Sequence, residues 1–155
     1  MSRIPLVSSE SLTPEQRVVY DRIVSGPRKA MVGPLRAALH NPELAEHWQQ
    51  LGALLRYGTS LSQRLKEIAI LVTARRWNAE LEWQIHEDAA RKAGVPDGLI
   101  DAIRLAQRPD FATDDDRAIY EFVRDLQESG RVSDATYRDA HSRFGTVGVV
   151  ELTAL

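Results

Sequence analysis

Residues 65–92, LKEIAILVTARRWNAELEWQIHEDAARK, decide the fold of this chain. The run IAILV at residues 68–72 has no polar side, and a helix that is apolar all round is buried. Asn78 interrupts the run, and an amphipathic pattern then covers residues 80–93 before Gly94, a residue typical of helix ends. The stretch therefore predicts two consecutive helices, the first of them inside the core.

Signals for helix starts recur on both sides of this stretch. Thr13-Pro14-Glu15-Gln16 has the pattern of a capping box with proline at the first helical position. It predicts a helix to about Ser25 with Val18, Val19 and Ile23 facing inward. A helix from Asn41-Pro42 carries an apolar stripe at Leu44, Trp48 and Leu51. Further starts are predicted at Ser62, near Glu80, at Asp97, at Thr113 and at Ser133. These signals predict an all-α protein of seven or eight helices.

Length and composition limit the function classes. A chain of 155 residues suits one domain with a real core, so we expect a single domain over residues 1–155. The formal net charge of -2 gives no electrostatic reason to expect nucleic acid or an anionic membrane as partner. Residues 1–12 lack the long apolar region of a secretory signal, so we expect a cytoplasmic protein. With no cysteine, disulfides, thiolate zinc sites and thiol peroxide chemistry are excluded.

Two segments outside the central stretch carry further expectations. Residues 26–41 form a long link with two Gly-Pro pairs, either a plain connector or a functional loop. Arg36 in this link is a candidate for holding a substrate carboxylate. The last residues, TVGVVELTAL at 146–155, begin an amphipathic helix without a stop signal, so we expect the sequence to end inside a helix.

The central stretch also contains a candidate acid/base site. Glu82 and His86 are four residues apart and share one helix face, and Glu67 directly precedes the apolar run. A carboxylate in that position must be paired, hydrogen-bonded or protonated. A histidine beside carboxylates is a natural proton carrier. Alternatively, Glu82 and His86 form an exposed pair of little energetic weight, and Glu67 faces solvent.

Metal binding is not predicted. A di-iron helical bundle needs Glu-x-x-His motifs from two helices together with further glutamates, whereas this chain has one Glu-x-x-x-His spacing. We expect neither a metal nor another cofactor. Trp77 and Trp83 have two interpretations: they anchor the core or a subunit interface, or they line a pocket for a small ring.

Three segments resemble the carboxymuconolactone decarboxylase family, the group that includes the AhpD-like alkyl hydroperoxidases. They are GPLRAALHNPELA at 33–45, LSQRLKEIAILVTARRWNAELEWQIHEDAARKAGVP at 61–96 and FGTVGVVELTAL at 144–155. The most specific features are Glu67, the Trp77-Asn78 junction and the Glu-Trp pair before His86. The resemblance spans about residues 33–155. It implies an AhpD-like helical fold and an assembly of subunits, commonly a homotrimer or homohexamer.

The peroxidase branch of this family has a glutamate, a Cys-x-x-Cys pair, and a histidine four residues after the second cysteine. Glu67 and His86 fall on the glutamate and histidine positions, whereas Ala79 and Glu82 occupy the cysteine positions. That departure predicts that peroxidase activity is absent. The decarboxylase branch also lacks the cysteines, and its members resemble this chain in the Glu-Trp-x-x-His region.

The resemblance to the decarboxylase branch implies a cofactor-free lyase acting on a small lactone dicarboxylate from the breakdown of aromatic compounds. The roles it implies are acid/base catalysis for His86, tuning and orientation for Glu67 and Glu82, and substrate binding for Arg36, Trp77 and Trp83. Two alternatives remain. One is an AhpD-like or peroxiredoxin-like antioxidant, which the missing cysteines argue against. The other is an oligomeric ligand-binding module that has lost its chemistry.

Overall fold

The computed structural model describes residues 3–31 and 33–155. Over these residues it contains eight α-helices and no strand, which confirms the predicted all-α class. By their contacts the helices group into two compact units, Met1–Gly58 and Thr59–Leu155. The single domain predicted for residues 1–155 stays a prediction. No helix in the described ranges has the length and apolar character needed to cross a membrane.

The first unit holds three helices: α1 Pro14–Ser25, α2 Pro34–Ala38 and α3 Pro42–Tyr57. Val19 and Ile23 are buried on α1, as predicted, but Val18 is 56% exposed and its predicted inward position is wrong. Adjacent residues of a helix point about 100° apart, so Val18 leaves the core when Val19 enters it. The apolar core of this unit consists of Val19, Ile23, Leu35, Ala38, Leu39 and Ala45.

The apolar stripe of α3 does not form the core of the first unit. Leu44, Trp48 and Leu51 are each about half exposed, while Ala45 and Gln49 are the buried residues of this helix. α3 carries apolar side chains on more than one face, so their spacing predicts a helix without determining which face turns inward.

The second unit holds five helices: α4 Gln63–Arg76, α5 Glu80–Lys92, α6 Asp97–Arg104, α7 Asp114–Ser129 and α8 Asp134–Ala154. α4 packs against α5, α6 and α7. Ile68 and Leu71 have no exposed surface, which confirms that the apolar run lies in the core. Asn78 adopts a left-handed backbone conformation with φ 49° between α4 and α5, which asparagine tolerates better than most residues.

An ion pair inside the second unit joins α4 to α7. The guanidinium of Arg64 donates from Nε to Oδ1 of Asp116 over 3.0 Å and from Nη2 to Oδ2 over 2.7 Å. Asp116 is fully buried, whereas the Arg64 side chain keeps 25% exposure. The same guanidinium donates to the backbone oxygen of Gly94, at the end of α5. Arg64 therefore joins three helices. Its hydrogen bonds to Asp116 raise the pKa of the Arg64 guanidinium.

Gly145 interrupts α8 with a backbone that residues with side chains rarely adopt. Its φ is 66° and its ψ is -176°, a region that is essentially restricted to glycine. The helix predicted from Ser133 thus ends near Gly145, as expected, and a second helical stretch follows to Ala154.

Alanine at Gly145 is expected to lower the free energy of unfolding by about 1–3 kcal/mol because it strains the backbone. Alanine at Gly98 in α6 is the matched control. Neither glycine has a neighbouring atom within 4 Å of an added Cβ, and Gly98 has no positive φ. Gly98→Ala should therefore raise the free energy of unfolding by about 0.5–1 kcal/mol, because alanine favours a helix more than glycine does. Urea unfolding of both variants tests this, and equal effects would contradict the assignment of strain to Gly145.

Candidate functional site

Glu67 is a carboxylate enclosed in the core of the second unit. It lies on α4 between buried neighbours and has no exposed surface. One carboxylate oxygen, Oε2, lies 2.7 Å from Nδ1 of His86. The other, Oε1, accepts a hydrogen bond from the side-chain amide of Gln63, one turn earlier on the same helix. Both oxygens are thus satisfied, as a buried carboxylate requires.

His86 lies on α5, directly opposite Glu67, and is 3% exposed. Its Nδ1 hydrogen-bonds to Glu67, and its Nε2 lies 3.5 Å from Oε2 of Glu82. The imidazole therefore stands between two carboxylates supplied by different helices. When Glu67 is ionised, the hydrogen on Nδ1 is fixed by that carboxylate, and Nε2 is the atom at which a proton can be taken up or released.

Glu82 differs from Glu67 in its exposure. It lies one turn before His86 on α5, and its side chain is 43% exposed. It can therefore exchange protons with solvent while remaining close to the imidazole. The three predicted catalytic residues thus come together within one unit, in the order Glu67, His86, Glu82 from the core outward. The structure brings them together, and their catalytic roles stay predictions.

Two neighbours of this group were not predicted from the sequence. Gln63 holds Glu67, and the i,i+4 spacing between them was a signal that pointed to it. Lys66 is 5% exposed although it adjoins the site. Burial lowers the pKa of its ammonium group, and the nearby carboxylates of Glu67 and Glu151 oppose that shift only in part. No sequence pattern identified Lys66, because a lysine before an apolar run is usually solvated.

The two tryptophans predicted to bind substrate lie in different environments. Trp83 is 9% exposed and belongs to the core of the second unit. Its indole N–H donates to Glu87 over 2.7 Å. The guanidinium carbon of Arg104 lies over its ring, 5.2 Å from the ring centroid. Trp77 is 67% exposed, and its indole N–H donates to Gln127 over 2.8 Å. Neither indole N–H is directed at His86, and the substrate-binding role of both residues stays a prediction.

Arg36, the predicted holder of a substrate carboxylate, lies on α2 in the first unit. There it lines a surface pocket together with Tyr20 and Met31. Its role stays a prediction. Within residues 3–31 and 33–155, no three histidine or acidic side chains are grouped so that they could hold a metal ion.

Comparison with known proteins identifies one family. A sequence model of the carboxymuconolactone decarboxylase family matches residues 42–125, which is more than half of the chain. The matched region contains Glu67, Glu82 and His86. No curated protein and no solved structure gives a match.

Proposed function

Because the chain belongs to the carboxymuconolactone decarboxylase family, we propose that it is a cofactor-free acid/base enzyme that releases CO₂ from a small carboxylated ring compound. The observation that carries this proposal is the buried hydrogen bond between Glu67 and His86. A histidine held in one orientation by a carboxylate is a frequent arrangement for moving a proton.

Release of CO₂ from such a substrate requires a proton donor, which the pair of Glu67 and His86 can supply. When a carboxylate leaves as CO₂, the electron pair of the broken C–C bond stays on the ring carbon. A conjugated carbonyl of the substrate can delocalise that pair onto oxygen. A proton must then reach the carbon, so that one proton is consumed for each CO₂ released. In this proposal Nε2 of His86 delivers the proton, and stabilisation of the anionic intermediate lowers the barrier.

Glu82 resupplies the proton in this scheme. Its carboxylate faces Nε2 at 3.5 Å and is 43% exposed, so it can collect a proton from solvent and pass it to the imidazole. Glu67 holds the opposite ring nitrogen and offsets the charge of the imidazolium that forms when Nε2 is protonated. The two carboxylates thus have different roles because one is buried and the other is partly solvated.

A non-catalytic ligand-binding module is the second candidate. The low exposure of His86, 3%, favours it, because the imidazole already has carboxylates beside both nitrogens. A peroxide-reducing function of the AhpD type is disfavoured, since the chain has no cysteine and that chemistry needs a thiolate.

The test is a direct assay with 4-carboxymuconolactone, in which loss of substrate and release of CO₂ are followed together. Equal amounts of substrate lost and CO₂ released, proportional to protein concentration, would support the proposal. Absence of CO₂ above the rate without protein would exclude this substrate and favour the binding module. The exposed His141 lies outside the group around His86, and His141→Ala is the control, with an unchanged rate expected.

We also propose a homotrimer or homohexamer in the cytoplasm, as the resemblance and the sequence led us to expect. The exposed apolar side chains of Val147 and Val150 on α8, 63% and 62% accessible in one chain, support a subunit contact. Light scattering should give three or six times the 17.4 kDa mass of one chain. A mass of one chain at micromolar concentration would contradict this prediction.

A further inference from the structure

A pocket of about 200 Å³ lies between α4, α6 and α7, apart from the group around His86. Its apolar lining includes Val72, Ile103 and Tyr120, and three arginines also line it: Arg75, Arg76 and Arg124. Arg75 follows Glu67 by eight residues on α4, which is about 12 Å along a helix. The pocket is smaller than the roughly 300–1,000 Å³ of sites for drug-sized ligands, so it suits a single ring.

The three arginines differ in how their charge is balanced. Arg124 lies within 4.0 Å of carboxylate oxygens of Glu121, Asp125 and Glu128, so it is neutralised within the protein. Arg75 and Arg76 have no carboxylate within that distance in the part of the chain that the structure describes. The pocket therefore has two cationic side chains without an acidic partner.

Hydrogen bonds to neutral acceptors hold both of these arginines in place. Arg75 donates from Nε to the backbone oxygen of Arg104 over 2.7 Å and from Nη1 to Asn78 over 2.6 Å. Arg76 donates from Nε to the backbone oxygen of Gln127 over 3.3 Å. Nη2 of Arg75 and both terminal nitrogens of Arg76 make no hydrogen bond to any described residue. Arg76 is exposed and its guanidinium also lies over the ring of Trp77. The terminal N–H groups of both arginines are thus left as donors from which a carboxylate can accept.

Tyr120 supplies a second polar group without a partner. It is 8% exposed and lines the pocket, yet its hydroxyl makes no hydrogen bond within residues 3–31 and 33–155. The hydroxyl oxygen keeps some accessible surface, so it can hydrogen-bond to a ligand or to water. Burial raises the pKa of Tyr120, so the hydroxyl is a donor at neutral pH. Glu128 also lines the pocket and would repel a second negative charge.

We propose that this pocket binds a small aromatic or cyclic monocarboxylate. The carboxylate accepts hydrogen bonds from the terminal nitrogens of Arg75 and Arg76, and the ring packs on Val72, Ile103 and Tyr120. The site is independent of the proton transfer proposed for His86, so the chain can bind such an acid whether or not it releases CO₂ from a substrate.

Benzoate is the probe for this site, with benzamide as a neutral compound of the same shape and inorganic phosphate as an anion without a ring. Titration of ¹⁵N-labelled protein should give saturable benzoate shifts centred on the amides of Val72, Ile103 and Tyr120. Benzamide and phosphate should each bind at least about tenfold more weakly. The absence of saturable shifts, or shifts centred on His86, would overturn the proposal. Phosphate that binds as tightly as benzoate would also overturn it.

Arginine variants complete the test. Arg75→Gln and Arg76→Gln should each weaken benzoate binding by about tenfold or more, and Arg76→Lys should lose less because it keeps the charge. Arg138→Gln is the matched control, since Arg138 is exposed and its Nε also donates to a backbone oxygen. The Arg138→Gln protein should bind benzoate with the affinity of the wild type. Unchanged affinity in a folded Arg76→Gln protein would contradict the proposal even if Arg75→Gln fails to fold.

Discussion

Glutamine in place of His86 is expected to lower the proposed release of CO₂ from 4-carboxymuconolactone by about 100- to 10,000-fold, the usual contribution of a general acid or base. Glutamine has a similar size and can still donate a hydrogen bond to Glu67, so the core stays filled. It cannot take up and release a proton at the position of Nε2. The comparison of kcat/KM between the wild type and the variant measures the effect.

Glu67→Gln and the double variant determine whether Glu67 acts through His86. Glutamine at residue 67 keeps the shape of the side chain and removes the carboxylate that is 2.7 Å from Nδ1. If the two residues act as one unit, the double variant should be no slower than His86→Gln alone, because such effects are not additive. Additive losses would contradict a positioning role for Glu67. A His86→Gln protein that keeps more than about a tenth of the wild-type rate would contradict proton transfer by His86.

Methionine in place of Arg64 is expected to lower the free energy of unfolding by about 3–5 kcal/mol, the usual cost of leaving a buried charge without its partner. Asp116 has no exposed surface and receives two hydrogen bonds from this guanidinium. Its carboxylate would stay in the core without its cation. The loss is a large fraction of the about 5–15 kcal/mol that stabilises a typical domain. Urea unfolding of the wild type and of Arg64→Met gives the difference in free energy of unfolding. Both curves are fitted with the same dependence on urea concentration.

Arg117→Met is the matched control for that prediction. Arg117 also lies beside acidic residues, Asp114 at 3.3 Å and Asp139 at 3.1 Å, but its side chain and that of Asp114 are well exposed. Arg117→Met should therefore lower the free energy of unfolding by less than about 1 kcal/mol. In the Arg64→Met background, Asp116→Asn should restore part of the stability by removing the unpaired charge. If Arg64→Met and Arg117→Met lowered the free energy of unfolding equally, the burial of Asp116 would not be the reason for the loss in Arg64→Met.

Features encoded by neighbouring residues were predictable from the sequence. Five helices begin at capping side chains whose oxygens accept a backbone N–H three residues later: Thr13, Asn41, Ser62, Thr113 and Ser133. Each cap is a local interaction, so the residue pattern is sufficient to identify it. The shared face of Glu82 and His86 follows in the same way from a spacing of four residues.

Features that depend on packing between helices were not predictable in the same way. The spacing of Glu67 and His86 allows several distances, and only the packing of α4 on α5 gives 2.7 Å. The pair of Arg64 with Asp116 joins residues 52 positions apart, beyond any local pattern. The exposed stripe of α3 is a third case, because helical spacing does not determine which face meets the core.

The two contacts that α4 makes through buried carboxylates differ in how much of the chain must be ordered to form them. Glu67 and His86 are 19 residues apart, whereas Arg64 and Asp116 are 52 apart. The entropy of loop closure grows as the logarithm of loop length, so the shorter loop is favoured by about 0.9 kcal/mol. Two helices and the three-residue link at 77–79 suffice for the acid/base pair. We therefore expect a folding chain to assemble this pair before α7 docks, and hydrogen exchange pulse-labelled during refolding would test that order at the amides of α5 and α7.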